Sequence, residues 1–273
     1  MSEGIKKIGP YEIIREIGRG GMGVVYLAKH PTLVDVEVAL KAMFPDPSRG
    51  KDDPVMMESR KRFRNEAEMT AKLNHPSIIT VYDYGNDAET GILYLAMDNL
   101  DGGTLKEILA EKGKFTLEET LEIVKPIAKA LEFIHERGII HRDLKPSNIM
   151  FYQGHPVITD FGIAMDVQRT VMTETGRLVG SIPYMSPERI DEEEFDHRAD
   201  IYALGVIIYE MLTGSNPFAA SSPTGIMKKV SSHEPPLLSK IIPEIPDDFA
   251  ILISMLMEKG PENRPDSLNS FIK

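Results

Sequence analysis

The chain has 273 residues, of which 42% are apolar, so it can form one large or one two-lobed globular unit and is not intrinsically disordered. It contains no cysteine, which excludes disulfides, thiolate metal sites and cysteine nucleophiles. The formal net charge of −11 argues against a nucleic-acid-binding surface, and no run of residues is long and apolar enough to predict a membrane span. We therefore expect a cytoplasmic segment without a nucleic-acid partner and without membrane contact.

A glycine-rich stretch follows the first strand-like segment. Its sequence is "GRGGMGVVY", from Gly18 to Tyr26, and it has the pattern G-x-G-x-x-G. A dinucleotide-binding fingerprint would place a helix after these glycines, whereas the β-branched residues Val24 and Val25 favour a strand. We therefore predict that the glycines form the tip of a β-hairpin, where backbone without Cβ atoms can approach a phosphate. An ordinary turn without a ligand remains the alternative for this motif alone.

The first hundred residues are predicted to form a β-rich unit. Apolar and β-branched patterns predict strands at 11–17, 24–29, 36–43, 78–84 and 92–97, with one helix between the third and the fourth. Residues 1–100 should therefore form a five-stranded sheet with one main helix, followed by a hinge near 98–103.

Two charged residues of this unit are predicted to form an ion pair. Lys41 lies in the mostly apolar strand "VEVALKAM", either as a solvated lysine or as an ammonium that reaches phosphate oxygens. On the helix "SRKRFRNEAEMTAKLNHP", a rotation of about 100° per residue puts Glu66 on the apolar face and Glu68 nearly opposite. A buried carboxylate is costly without a partner, so we expect Glu66 to hold Lys41 and Glu68 to stay solvated.

The rest of the chain, residues 101–273, has a predominantly helical pattern. Thr116 and Glu119 stand in the capping-box relation at the start of a long amphipathic helix. The final stretch, "RPDSLNSFIK", stops where a helix has just begun. We therefore expect a fragment of a longer protein, with its last helix incomplete.

The segment "IIHRDLKPSNIM" concentrates chemistry-bearing groups after that long helix. Asp143 could accept a proton or orient a hydroxyl, and Lys145 could stabilise charge on a transferring phosphoryl group. Asn148 offers a carbonyl oxygen, a hard ligand suited to Mg²⁺. For His141 and Arg142, a structural role and a functional role remain equally open.

Further downstream, one residue points to a metal site and two others to a structural ion pair. Asp160, in "VITDFGIA", ends an apolar strand and precedes Gly162. A lone aspartate there is usually a turn residue, but together with Asn148 it predicts a shared divalent ion. Glu188, in "SPERI", and Arg264, in "ENRPD", are predicted to form a buried structural ion pair.

Together, "GRGGMGVVY", "VALK", "HRDLKPSN", "DFG" and "SPE" resemble the protein-kinase signature set, in the family's order, over residues 11–273. The resemblance implies an α+β, two-lobed protein-kinase-like fold, with a β-rich N-lobe carrying one main helix and a mostly helical C-lobe. Lys145, two residues after Asp143, matches the serine/threonine form, and the sequence is most similar to bacterial eukaryotic-like kinases of the PknB type. Two departures are Ser181, where the family usually has threonine, and Ser186, where it usually has alanine.

The resemblance also implies roles for individual residues. Asp143 is the catalytic base, acting with Lys145, with Lys41 and with Glu66, which holds Lys41 against the α- and β-phosphates of ATP. Asn148 and Asp160 hold Mg²⁺, for which Mn²⁺ could substitute. The implied ATP-binding residues are Ile17, Gly18, Arg19, Gly20, Gly21, Met22, Gly23, Val25, Ala39, Lys41, Met97, Asp98 and Leu100. The implied phosphorylation sites in the activation loop are Thr173 and Thr175, with Thr170 a further candidate nearer to Asp160.

The implied function is a serine/threonine protein kinase that transfers the γ-phosphate of ATP to protein hydroxyls, with autophosphorylation of its activation loop, in signalling. Implied partners are protein substrates and a second copy of the chain, phosphorylated in trans and paired through the N-lobes. The parent protein would be membrane-anchored beyond residue 273. A pseudokinase would lack the lysine, aspartate or asparagine, and a small-molecule kinase would lack "SPE". All of these are present.

Overall fold

The computed structural model describes residues 5–20, 23–46, 53–161 and 181–272. The chain divides into two compact units, one of Met1–Asn74 with Ile78–Asp101, and the other of His75–Ser77 with Gly102–Lys273. The first is a sheet with one helix and the second is mostly helical. The predicted α+β class, with a β-rich part preceding a helical part, is confirmed.

The sheet of the first unit is antiparallel throughout. Its strand order is β1-β2-β3-β4-β6-β5. The described strands are β1 (Lys7–Ile8), β2 (Tyr11–Gly20), β3 (Gly23–Lys29), β4 (Glu37–Met43), β5 (Val81–Asn86) and β6 (Leu93–Asp98).

The prediction of five strands was wrong, because β1 is a sixth. It is only two residues long and turns back onto β2 through Gly9 and Pro10, which is too short for a periodic signal. The strand expected from residue 78 begins at Val81. Ile78 and Ile79 are buried but lie outside the strand, so their apolar character does not mark its start.

The glycine-rich segment forms the predicted hairpin, since β3 and not a helix follows it. Gly18 pairs with Val25 and Gly20 with Gly23. Gly23 has φ 144°, and a Cβ there would lie 1.9 Å from the carbonyl oxygen of Ala42 on β4. Only glycine fits at the start of β3.

Helix α1 (Pro54–Thr70) packs on this sheet. It is capped by Asp53, whose carboxylate accepts hydrogen bonds from the amides of Val55 and Met56. Phe63 and Ala67 join a buried apolar cluster with Leu93 and two further residues of β4 and β6, Met43 and Leu95. This packing fixes which side chains α1 directs towards the sheet.

The second unit consists of helices and one small hairpin. The helices are α2 (Leu105–Lys112), α3 (Leu117–His135), α4 (Pro187–Ile190), α5 (Arg198–Thr213), α6 (Pro223–Ser232), α7 (Leu238–Ile241), α8 (Asp247–Leu256) and α9 (Asn269–Ile272). The hairpin joins β7 (Ile149–Tyr152) to β8 (His155–Ile158), and short 3-10 turns occur at Pro146–Asn148, Ile182–Tyr184 and Pro261–Asn263.

Helix α5 is the centre of this unit, with nearly every residue buried. It ends at Gly214, whose left-handed backbone closes the helix. Helix α3 starts with the predicted capping box of Thr116 and Glu119. In the described ranges, no helix combines the length and the hydropathy needed to cross a membrane.

Candidate active site

In the first unit, β4 and α1 bring Lys41 and Glu66 together. Lys41 Nζ lies 2.7 Å from Glu66 Oε1, and both side chains are almost fully buried. Glu66 shares its helix face with the buried Phe63 and Thr70, as the periodicity predicted. Glu68 points outward and pairs loosely with Arg64 at 3.4 Å. The arrangement holds one ammonium at a fixed place in an apolar surrounding.

The residues expected around ATP lie on neighbouring strands of the same sheet. Val25 on β3 is the register partner of Lys41 on β4, and Ala39 on β4 is that of Met97 on β6. The amide of Asp98 donates to Thr80 O at 3.0 Å.

Three further residues expected at ATP flank these strands. Ile17 and Arg19 are exposed on β2, where Arg19 pairs with Glu16. Leu100 follows β6 and is half-buried. Gly21 and Met22 lie outside the described residues.

In the second unit, the segment after α3 gathers polar groups around Asp143. Lys145 Nζ donates to Asp143 Oδ2 at 2.5 Å and to Ser181 Oγ at 2.7 Å. Asn148 Nδ2 donates to the carbonyl oxygen of Asp143 at 2.8 Å and to its Oδ2 at 3.1 Å. The hydroxyl of Ser181 is thus linked to Asp143 through Lys145, so serine keeps the polar contact that threonine would make.

The backbone of this segment is held by one buried carboxylate, that of Asp200 on α5. It accepts the amides of His141 at 2.8 Å and Arg142 at 3.0 Å, and His135 Nε2 lies 2.9 Å away. Burial alone would raise the pKa of Asp200, but the hydrogen bonds that its carboxylate accepts from His135 and from the backbone amide of His141 hold the pKa below its usual value. Asp200 therefore stays ionised and fixes the loop that presents Asp143.

His141 has a structural role in this loop. Its side chain is fully buried, its Nε2 lies 3.0 Å from Thr159 O, and its ring lies 4.8 Å from that of Phe161. Burial lowers its pKa, so the imidazole is held neutral.

Arg142 has left-handed backbone with φ 70°, and its carbonyl oxygen accepts a hydrogen bond from Arg189 Nη1. Across the described part of the chain, no carboxylate lies within ion-pair distance of the Arg142 guanidinium.

Asp160 follows β8 with an exposed side chain and a left-handed backbone, φ 52°. The amide of the preceding residue, Thr159, donates to the carbonyl oxygen of Asn148 at 2.9 Å. Asn148 and Asp160 therefore extend from adjoining stretches of backbone. Gly162, Thr170, Thr173 and Thr175 lie outside the described residues.

The sequence-family model for the protein kinase domain matches residues 11–271 of the chain. The chain belongs to the protein kinase domain family. Three bacterial relatives agree with this. The kinase domain is 39% identical over 98% of its length to a probable serine/threonine-protein kinase of Streptomyces coelicolor, 37% over 94% to the serine/threonine-protein kinase PrkC of Bacillus subtilis, and 39% over 93% to PknB of Mycobacterium leprae.

The kinase domain spans about two fifths of the length of these curated relatives, 39%, 38% and 40% respectively. The similarity therefore concerns this domain and leaves the rest of each relative without a counterpart in the present sequence.

The donor set of the kinase domain suits a hard divalent cation. Asn148 uses its amide nitrogen on Asp143, and among the described residues its Oδ1 has only a long contact to Ser147 at 3.4 Å. Asn148 and Asp160 together offer a cation one amide oxygen and one carboxylate. Among the described residues, no cluster of three or more histidine, aspartate or glutamate side chains could hold a metal. Mg²⁺ is commonly bound by one or two carboxylates together with substrate phosphates, and these residues fit that pattern.

The side chains of Glu188 and Arg264 form a buried ion pair. Arg264 Nη1 and Nη2 lie 2.7 and 2.8 Å from the two carboxylate oxygens, and the guanidinium also donates to the carbonyls of Glu258 and Lys259. Burial raises the pKa of Glu188, but the hydrogen bonds from Arg264 more than offset this and lower it. The pair joins α4 to the segment after α8.

Sequence reasoning missed Asp200 and Arg189. The signal for Asp200 was an aspartate inside the otherwise apolar stretch of α5, where a buried charge requires partners. Arg189 gave no such signal, because in the motif "SPERI" an arginine next to Glu188 reads as an ordinary charged neighbour. In the structure Arg189 is buried and supports the carbonyl of Arg142.

Proposed function

We propose that this domain catalyses transfer of the γ-phosphate of ATP to serine and threonine hydroxyls of proteins. The observation that carries the proposal is the set of contacts at Asp143, whose carboxylate is held by Lys145 and Asn148 while Lys145 also holds Ser181. Family membership and the names of the relatives support it. The bacterial relatives named above are serine/threonine-protein kinases.

The assigned chemistry needs positioning and charge stabilisation, because the transition state of phosphoryl transfer is loose. Asp143 orients the acceptor hydroxyl and takes its proton. The ammonium of Lys145 stabilises charge on the transferring group. Lys41, held by Glu66 at 2.7 Å, contacts the α- and β-phosphates.

Asn148 and Asp160 are assigned to Mg²⁺, with Mn²⁺ as a substitute that accepts the same oxygen ligands. The bound ion supplies neutralisation of phosphate charge. Asn148 is positioned for this by its bonds to Asp143, which use the amide nitrogen and so keep Oδ1 for the cation.

The nucleotide base is assigned to the sheet of the first unit. Val25 and Ala39 contact adenine, Met97 limits the depth of its site, and backbone groups of Asp98 and Leu100 form hydrogen bonds with it. The glycine-rich hairpin, from Ile17 to Gly23, covers the phosphates. The close approach of Gly23 to Ala42 fixes the start of β3 against β4 at the base of this hairpin.

Regulation by autophosphorylation is part of the proposal. Phosphorylation of Thr173 or Thr175 would bring about −1.5 to −2 charges and strong acceptor oxygens. The Arg142 guanidinium, which has no carboxylate partner among the described residues, is the assigned receptor. Thr170 is a further candidate site.

The wider setting is also proposed. The protein containing this domain is longer, acts in signalling and carries a membrane anchor, with the domain in the cytoplasm. Two copies pair through the first unit, where Leu33 and Val34 are exposed at 56% and 86%. Exposed apolar side chains of this kind favour association.

Mass spectrometry of the purified chain after incubation with Mg·ATP tests the function. We expect phosphate to appear on threonines of the chain, and on an added protein substrate, only in the wild type. The matched control is Asp143→Asn, which should stay unmodified. Absence of phosphate from both the wild-type chain and a panel of protein substrates would reject the proposal.

A further inference from the structure

The first unit has a groove of about 660 Å³ on the side of α1, lined also by residues of β5 and β6. Met57, Arg60, Lys61 and Arg64 line it from the helix, and their spacing of three and four residues places them on one face. Glu66, which pairs with Lys41, belongs to the buried face of the same helix. The groove is therefore distinct from the residues assigned to ATP.

The floor of the groove is apolar. Leu93 of β6 is buried, Tyr84 of β5 is half-buried, and Met57 is 57% exposed. Leu93 belongs to the core cluster that includes Phe63, and the Tyr84 ring packs 6.0 Å from that of Phe63. An apolar side chain entering here would extend the existing core and remove the exposed methionine from water.

The rim of the groove is cationic. One acid lines the groove beside Arg60, Lys61 and Arg64, namely Glu58, and it forms a 3.0 Å ion pair with Arg62. Arg64 also pairs loosely with Glu68, at 3.4 Å, outside the lining of the groove. Within the described ranges, neither Arg60 nor Lys61 has a carboxylate within ion-pair distance, and Arg60 Nε is buried without a hydrogen-bond partner.

This local charge contrasts with the whole chain, whose formal net charge is −11. A positive groove on an acidic protein is complementary to a short anionic segment. It is less suited to a long polyanion, because a nucleic acid would also meet the negative remainder of the surface.

We propose that this groove docks an acidic peptide segment of a partner protein, one that carries a bulky apolar side chain between its carboxylates. The apolar side chain lies on Met57, Tyr84 and Leu93. The carboxylates lie against the cationic side chains of Arg60, Lys61 and Arg64. Such a contact combines an apolar anchor with charge complementarity, the two features that give peptide interfaces affinity and register.

Fluorescence anisotropy with a labelled synthetic peptide tests this. The probe has one phenylalanine flanked by aspartates and glutamates. We expect saturable binding that weakens about tenfold in the triple variant Arg60→Ala, Lys61→Ala, Arg64→Ala, because the three cationic side chains that attract the carboxylates are removed. The matched control removes three exposed lysines of the second unit, Lys106, Lys228 and Lys240, and should bind as the wild type does.

Two further binding measurements distinguish the acidic peptide from other ligands that could occupy the groove. A peptide with alanine in place of phenylalanine should bind at least about tenfold more weakly, because the apolar anchor is lost. An RNA oligonucleotide and heparin should bind more weakly than the peptide. Equal binding by the alanine peptide, tighter binding by RNA or heparin, or no loss in the triple variant would each overturn the proposal. The Asp143→Asn chain should bind the peptide normally, so this result is independent of catalysis.

Discussion

A single ammonium, that of Lys41, joins β4 to α1 in the first unit. We expect Lys41→Met to reduce phosphotransfer by at least about 10²-fold, because a fixed charge at the phosphates is lost. It should also lower stability, since the buried carboxylate of Glu66 loses the ammonium that lies 2.7 Å from it. Phosphate incorporation and thermal melting measure the two effects.

The double variant Lys41→Met, Glu66→Gln separates these effects. It should recover most of the lost stability and none of the activity. Retained turnover of the single variant, with normal dependence on ATP, would contradict the assigned role of Lys41.

Asp143 and Asp160 are both carboxylates, but their proposed tasks differ. Asp143→Asn should still bind Mg·ATP and transfer phosphate about 10²–10⁴-fold more slowly, because the base is lost. Asp160→Asn should instead lose the Mg²⁺-dependent part of nucleotide binding. Isothermal titration of both variants with and without Mg²⁺ makes the comparison. Identical nucleotide binding by the two would refute this division.

Lys259 is a buried cation whose ionisation should affect stability. Its Nζ lies 4.4 Å from the ring centre of Phe218 and, among the described residues, has no hydrogen-bond partner. Burial lowers its pKa from 10.5 to about 8, and nearby Arg264 adds to the effect. Between these values the unfolded chain keeps a proton that the folded chain has lost, so stability should rise with pH in this window.

Lys259→Met keeps the apolar stem and removes the charge. We expect its melting temperature at pH 7 to increase by about 2–4 °C, and the rise above pH 8 to flatten. Melting curves from pH 7 to pH 10 measure both, with exposed Lys240→Met as the control. An undiminished alkaline rise in the variant would show that another group is responsible.

A contact was predictable from the sequence where the periodicity of a helix shows which of its side chains is buried. Glu66 was placed beside Lys41 because a helical rotation and the cost of a buried carboxylate both point there. The hold of Asp200 on His141 and Arg142 was not predictable, because it joins positions about sixty residues apart through backbone amides, which carry no side-chain signature.

At the scale of elements, the Glu188–Arg264 pair holds α4 to the segment after α8. Removing one partner of a buried pair typically costs about 3–5 kcal/mol, so Arg264→Ala should markedly lower the melting temperature and the soluble yield. Arg198→Ala is the matched control, because its 2.8 Å pair with Asp196 is partly exposed and should contribute at most about 1 kcal/mol. Equal shifts in the two variants would argue against a special role for the buried pair.

Strands and helices with clear periodicity were predicted within a few residues, as for β4 and the capped start of α3. The errors have physical causes. Strand β1 forms because a turn at Gly9 and Pro10 brings two residues beside β2, and a pairing of only two residues leaves no periodic pattern in the sequence. The stretch before Val81 is buried without being a strand, and apolar pattern alone does not separate the two.

For the whole molecule, the proposed switch links two copies of the chain. Thr173 and Thr175 should be phosphorylated by the wild type and not by Asp143→Asn. The double variant Thr173→Ala, Thr175→Ala should lose most activity towards a separate protein substrate while still binding ATP, because the loop lacks the anion that Arg142 would hold. Kinetic assays and nucleotide titration measure this, with Thr170→Ala as the comparison. Full activity of the double variant would refute the switch.

The left-handed backbone at Arg142 and Asp160 should influence how inactive descendants of this domain evolve. A non-glycine residue in this conformation costs up to about 1–2 kcal/mol, and under the proposed function the side chains of Arg142 and Asp160 are the reason to keep it. A lineage released from phosphotransfer would no longer retain them, and glycine at either position would relieve the backbone. Inactive descendants of such a domain should therefore drift towards glycine there and become more heat-resistant than their active ancestors.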